Sequence, residues 1–194
     1  AALKLLDAVL RRGETLDQAA QPALQGVRAD ADRALARALA GEALRWLVDL
    51  DELIDSATQQ VLPEDAKPRM ALRLMLAGWL RLETPPHAVI ATALPLLTGG
   101  PRRVAHGVFS PLVKRAGKLP AAPTLPTRVQ ERWGDRASAI AAGLAVPPPL
   151  DLTLRDPAAT VDWCERLGGT SLLPGHVRLA RGTAVERLEG FKDG

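Results

Sequence analysis

One cysteine, no tyrosine and only 3% aromatic residues leave this 194-residue chain with few ways to do chemistry. The lone Cys164 has no internal partner, so a disulfide framework is excluded and a reducing, cytoplasmic setting is expected; the thiol itself reads as a small packed hydrophobe on a helix. His87, His106 and His176 have no metal-ligand spacing with one another or with a second cysteine, so no metal is expected, and His87, after a double proline, reads as capping or packing. No apolar run approaches the roughly 20 residues that span a bilayer, and no secretory signal is visible. Gly99-Gly100 and Gly168-Gly169 lack both a preceding strand and the glycines or Gly-Lys-Ser of a phosphate loop, and read as helix ends. The acid pairs Asp30/Asp32 and Asp49/Asp51 read as helix-start or solvated residues, not as an acid-base dyad. With no catalytic constellation left, binding and positioning are the functions the residues support.

What is present is a helical core. Hydrophobic residues make up 47% of the chain, enough to bury a full core, and with aromatics scarce it is built from Leu, Ala and Val. The net charge of +3 is small but unevenly spread: Arg102, Arg103, Lys114, Arg115 and Lys118 face no acid between Gly99 and Lys118. Such a run suits phosphates, which it would neutralise with release of counterions, or it is simply a solvated helix face. Arg11 and Arg12 form a second basic cluster.

Punctuation divides the chain into elements. A first helix is expected to end at Arg11-Arg12-Gly13, with glycine as left-handed cap, and Thr15 with Gln18 forms a capping box for a second. From Asp30, one long amphipathic helix is expected, with Leu35, Leu39, Trp46, Leu50 and Leu53 on its core stripe. Pro63 and Pro68 mark the start of a buried segment over Met70 to Leu82; Pro85-Pro86 opens a helix ending at Gly99-Gly100; Pro101 opens the basic helix ending at Gly117. Lys118 to Pro126 reads as an extended linker, followed by a short helical pair broken at Gly134 and capped by Asp135. After Pro147-Pro148-Pro149, alternation from Leu150 to Arg155, a helix from Asp156-Pro157 to Gly168-Gly169, and alternation over His176 to Leu179 give a strand-helix-strand unit. So few elements hardly close a sheet, and the unit is expected to pack on a further domain. The chain opens mid-helix at Ala1-Ala2-Leu3 without a Met and is expected to be the front portion of a longer protein.

Three motifs, Gly41-Glu42-Ala43-Leu44-Arg45-Trp46, Ala71-Leu72-Arg73-Leu74 and Thr84-Pro85-Pro86-His87-Ala88-Val89, resemble the NusB-like domain at the start of the RsmB/Sun/Fmu family of 16S rRNA cytosine-5 methyltransferases. Arg132-Trp133-Gly134, the triple proline with Leu150-Asp151-Leu152-Thr153, Leu167-Gly168-Gly169 and Leu188-Glu189-Gly190-Phe191-Lys192-Asp193-Gly194 resemble that family's linker and the small subdomain before its catalytic part. The chain departs from it at His106-Gly107-Val108-Phe109-Ser110, where the family often has Asn-Ala-Val-Leu-Arg; no RNA contact is carried onto those positions, and Pro111 is expected to kink the helix.

The resemblance implies a mainly α fold: a NusB-like all-α RNA-binding bundle over 1–117, a linker with short helices over 118–146, and a small α+β subdomain over 147–194. It implies a region that positions rRNA for a catalytic domain outside this chain. That domain would hold S-adenosylmethionine and the cysteine thiolate that adds at C6 of the base. The partners implied are 16S rRNA and the protein's own catalytic domain, without membrane or metal; this stretch is not catalytic by itself, and Arg102, Arg103, Lys114, Arg115, Lys118, Arg11 and Arg12 are the expected RNA contacts. Two other classes stay open: a stand-alone NusB-like antitermination factor, which has no use for the strands after Pro149, and a helical protein-interaction module without RNA.

Overall fold

Thr15 accepts a hydrogen bond from the Gln18 N–H while the Gln18 side chain accepts one from the Thr15 N–H, and this capping box separates helix α1 (Ala2–Arg12) from α2 (Leu16–Leu24). Gly13, at φ 69°, ends α1 in the left-handed conformation that the sequence predicts. The computed structural model describes residues 1–191; Lys192, Asp193 and Gly194 of the final motif lie outside the described residues. By internal contacts the chain forms two units, Ala1–Ala145 and a second from Val146 onward.

In the first unit the long helix expected from Asp30 is two: α3 (Asp30–Arg45) and α4 (Leu47–Asp55), broken at Trp46 (φ −104°, ψ 21°). The break shifts the buried stripe. Leu35, expected in the core, is half exposed, while Ala36, Ala40 and Ala43 are buried. Ala36 and Ala40 share a cluster with Leu5, Ala8, Ala19 and Ala23, and these small side chains let α1, α2 and α3 approach closely. Trp46, Leu50 and Ile54 then turn into the main core.

Helix α5 (Lys67–Leu80) is the axis of the unit: it packs on α1, α3, α4, α6 (Pro86–Ala93) and α7 (Gly99–Lys114), and is buried from Arg69 through Gly78. Burying Met70, Leu72, Met75 and Leu76 follows from apolar residues on every side, each such side chain contributing about 1.5–3 kcal/mol. Gly99 and Gly100 do not end α6, as expected, but begin α7: α6 gives way to a 3-10 turn at Leu94–Leu96, Thr98 is extended, and Pro101 in the first turn needs no intrahelical donor. α7 continues through Pro111 to Lys114. Residues 118–126 carry no helix, yet Leu119 packs against the core and Leu125 is buried. α8 (Thr127–Trp133), a 3-10 turn at Gly134–Arg136 and α9 (Ala137–Leu144) follow; Asp135 sits inside that turn and makes no cap, because Arg136 takes the N-cap position.

The second unit has strands β1 (Leu150–Thr153) and β2 (His176–Leu179), antiparallel with Leu150 opposite Leu179, and between them α10 (Thr160–Leu167), entered through a 3-10 turn that Asp156 caps at the Ala158 N–H. Gly169 runs against β2 so closely that a Cβ there would lie 2.7 Å from Val177 and 3.0 Å from the Arg178 carbonyl. The described residues are thus mainly α, with one two-stranded sheet, and no helix among them is long and apolar enough to cross a membrane.

Candidate nucleic-acid interface

Helix α7 buries Ala105, Val108, Phe109 and Leu112, so helical spacing turns Arg103, His106, Gly107, Ser110 and Lys114 away from the core. Arg102, Arg103, Lys114, Arg115 and Lys118 are all exposed. Among the described residues none of the five has an acidic partner; Arg115 donates to the Ser56 hydroxyl at 2.5 Å, fixing the end of α7 to that of α4. The eleven residue steps from Arg103 to Lys114 span about 16 Å at 1.5 Å per residue, roughly two screening lengths at physiological salt. The charges at the two ends of the strip are therefore largely screened from one another. Between them the surface is small and polar, with His106 Nε2 3.3 Å from Ser110 Oγ and open space over Gly107.

Arg11 and Arg12 stand elsewhere, at the end of α1, and their charge is largely met. Arg11 pairs with Asp7 at 3.0 Å, and Arg12 with Asp7 at 3.0 Å and Glu14 at 2.6 Å. The hydrogen bond to Glu14 is the main reason the Arg12 guanidinium is held above its ordinary pKa.

Several polar residues hold this surface from within. Arg73, 3% exposed, forms a fork on Asp51 (Nε 2.8 Å, Nη2 2.7 Å) and donates to the Glu64 carbonyl. Arg69, equally buried, forks onto Asp55 (2.7 and 3.0 Å) and reaches Asp51 at 3.1 Å and the Leu62 carbonyl at 2.9 Å. Its pKa is raised, first by the hydrogen bond to Asp55 and then by Asp51, against the opposing effect of burial. Glu42, also buried, takes Arg45 and Arg81; Arg81 lies 4.6 Å over the Trp46 ring and donates to the Ala145 carbonyl. Asp49, 4% exposed, accepts from the Thr124 N–H at 2.9 Å and hydroxyl at 2.6 Å, pinning the 118–126 segment to α4. Asp49 and Asp51 are therefore not the solvated residues expected from their spacing: they face cations and donors supplied by segments distant in sequence. These clusters are structural, and Glu42, Arg45, Trp46 and Arg73 belong to the motifs that carried the resemblance.

The other singled-out residues are unremarkable as chemistry. His87 is exposed on α6 and makes no cap bond, contrary to expectation, since the N-cap is Pro85 with an extended backbone. Cys164 is half-buried on α10. His176 accepts from the Leu172 N–H through Nδ1 and lies 3.2 Å from Asp151, which also takes a fork from Arg178. Sequence reasoning used Arg132-Trp133-Gly134 only as a resemblance motif and did not single out Arg128, Arg132 and Arg136, all exposed, as cations; the four-residue arginine spacing beside an aromatic was the available signal.

Gly99-Gly100 open a helix without a strand before them, and Gly168-Gly169 close one, with Gly169 blocked by β2.

Comparison with known proteins agrees with the helical arrangement. The chain is 30% identical, over an alignment 219 positions long, to a protein of Xanthomonas campestris pv. campestris named ribosomal RNA small subunit methyltransferase B. The alignment covers all of this chain and 48% of the relative, so the chain spans about half that protein's length. The family model described as "NusB family" matches residues 1–99, from α1 to the first residue of α7. With the α1–α6 bundle, its core and that match coinciding, the chain belongs to the NusB family.

Proposed function

We propose that this chain is the RNA-binding N-terminal region of an S-adenosylmethionine-dependent rRNA cytosine-5 methyltransferase, a soluble cytoplasmic protein in which it positions 16S rRNA for a catalytic domain outside these residues. The observation that carries the reading is the exposed strip along and just after α7, whose five cations have no acidic partner among the described residues, within a NusB-family chain similar along its whole length to a protein named as an rRNA methyltransferase. Arg102 and Arg103 grip phosphates at one end of the strip; Lys114, Arg115 and Lys118 grip others at the far end. Arg11 and Arg12 add less, because Asp7 and Glu14 already compensate them. Backbone contacts of this kind position an RNA without reading its sequence. The strand-containing unit after Val146 serves as the joint to the catalytic domain, which would bring the methyl donor and the nucleophilic cysteine. That the similarity to the methyltransferase extends through this unit favours the reading over a stand-alone antitermination factor.

The test is binding of the chain to a 16S-derived RNA by fluorescence anisotropy, with Arg102→Glu/Arg103→Glu against wild type. The charge reversal is expected to weaken binding at least tenfold at low salt. Equal affinity of the two proteins would sink the assignment.

A further inference from the structure

A second surface of the first unit carries both charge and an exposed aromatic ring. Chain aromatics are scarce, and the tryptophans differ in setting: Trp46 is 1% exposed, Trp79 meets Phe109 edge-on at 5.9 Å, Trp163 lies under Arg166 at 4.2 Å, whereas Trp133 is 43% exposed at the last residue of α8. A half-exposed indole offers an open π-face and a polar N–H edge to a partner. Near it in the chain are Arg128 and Arg132, one helical turn apart on α8, and Arg136 beyond Gly134; all are exposed, and none has an ion-pair partner among the described residues. Trp133 is one turn from Gln130 and adjoins Gly134, and both of those line a cleft of about 410 Å³. Pro123, Leu125 and Ala141 give that cleft apolar walls, Ser138 adds a hydroxyl, Gln130, its amide nitrogen tied to the Leu125 carbonyl, keeps an amide oxygen to accept with, and Asp135 adds a carboxylate that suits the amino edge of a base and keeps phosphates to the arginines outside.

Positive charge flanking an exposed indole, beside a cleft with apolar walls and a few polar groups, is the chemistry that takes an unpaired nucleobase: a π-face to stack on, hydrogen-bonding edges to meet, phosphates to neutralise. We propose that Trp133 is a stacking platform for an unpaired base of the bound RNA, with Arg128 and Arg132 on the adjoining phosphates. The inference rests on the RNA-binding reading above and adds the class of RNA feature recognised, a single-stranded base. These residues lie beyond the 1–99 family match, so the surface adds to the bundle rather than repeating it.

The test uses the whole chain with two probes, an unstructured oligocytidine and a perfect RNA duplex of the same length, followed by tryptophan fluorescence and anisotropy. Oligocytidine should quench wild-type emission, and Trp133→Leu, which keeps the apolar bulk but not the π-face, should bind it about 5- to 150-fold more weakly. Trp133→Phe should bind within a few fold of wild type, and duplex affinity should hardly move in either variant. Wild-type oligocytidine affinity in Trp133→Leu, with RNA binding otherwise intact, overturns the platform alone. A wild-type chain that binds neither probe overturns both the platform and the RNA-binding reading.

Discussion

Replacing Asp51 by alanine should damage the bundle more than any surface change, because two buried arginines share that carboxylate. Arg73 loses the one carboxylate it pairs with among the described residues and keeps the Glu64 carbonyl, whereas Arg69 keeps its fork on Asp55. Breaking a buried pair by removing one partner costs about 3–5 kcal/mol. The Asp51 side chain is 21% exposed, so water enters the vacated site and the lower end applies, about 3 kcal/mol. In a unit of this size each kcal/mol moves Tm by roughly 2–4 °C, so a fall of about 10 °C is expected in thermal melts followed by far-ultraviolet circular dichroism. Arg73→Met in the Asp51→Ala background removes the stranded charge and should recover part of that loss, a non-additivity readable from the double-mutant cycle. A fall below about 1 kcal/mol for Asp51→Ala, or strict additivity with Arg73→Met, would refute the view that this cluster is a coupled buried network.

Asp49→Ala removes both anchors of Thr124 and should cost about 1.5–3 kcal/mol, with faster amide exchange confined to residues near 124. Gly169→Ala should destabilise the second unit by about 1–3 kcal/mol, as the new methyl meets β2 backbone that has no room to move, leaving the bundle's melting unchanged. Asp151 is held at about 2 against an ordinary 3.8, first by the hydrogen bond from Arg178 and then by His176, with partial desolvation opposing both. A depressed carboxylate pKa contributes stability above pH 3.8 that is lost as pH falls through 2, so Asp151→Asn should flatten the second unit's acid unfolding across that window. A wild-type acid profile in Asp151→Asn would show that the pairing contributes nothing.

The local grammar of the chain was readable wherever one short segment decides the outcome. The Thr15/Gln18 capping box, the Gly13 cap, α5 between its prolines and the two strands follow from their own residues. What escaped was set by tertiary contact. Trp46 breaks the expected long helix and is buried beneath Arg81, thirty-five positions on. Asp49 and Asp51 look like surface acids until Thr124, Arg69 and Arg73 are brought against them. The glycines at 99 and 100 fit a helix end as well as a start; the extended Thr98 before them decides it. For the interface, the sequence picked out the exposed α7 cations by their lack of neighbouring acids, but charge counting alone missed that Asp7 and Glu14 fold back on Arg11 and Arg12. That the Trp133 ring is exposed was not legible either, because exposure is not written in a helical repeat.

The central claim is that α7 grips RNA phosphates, and the salt dependence of binding tests it most directly. Each phosphate contact contributes about 0.7–0.9 to the slope of log K against log salt, so five contacts should give a wild-type slope between about −3.5 and −4.5 on a 16S-derived RNA. Arg102→Glu/Arg103→Glu should make that slope shallower by about 1.4–1.8. A wild-type slope near zero, or one that the double charge reversal leaves unchanged, would contradict the account.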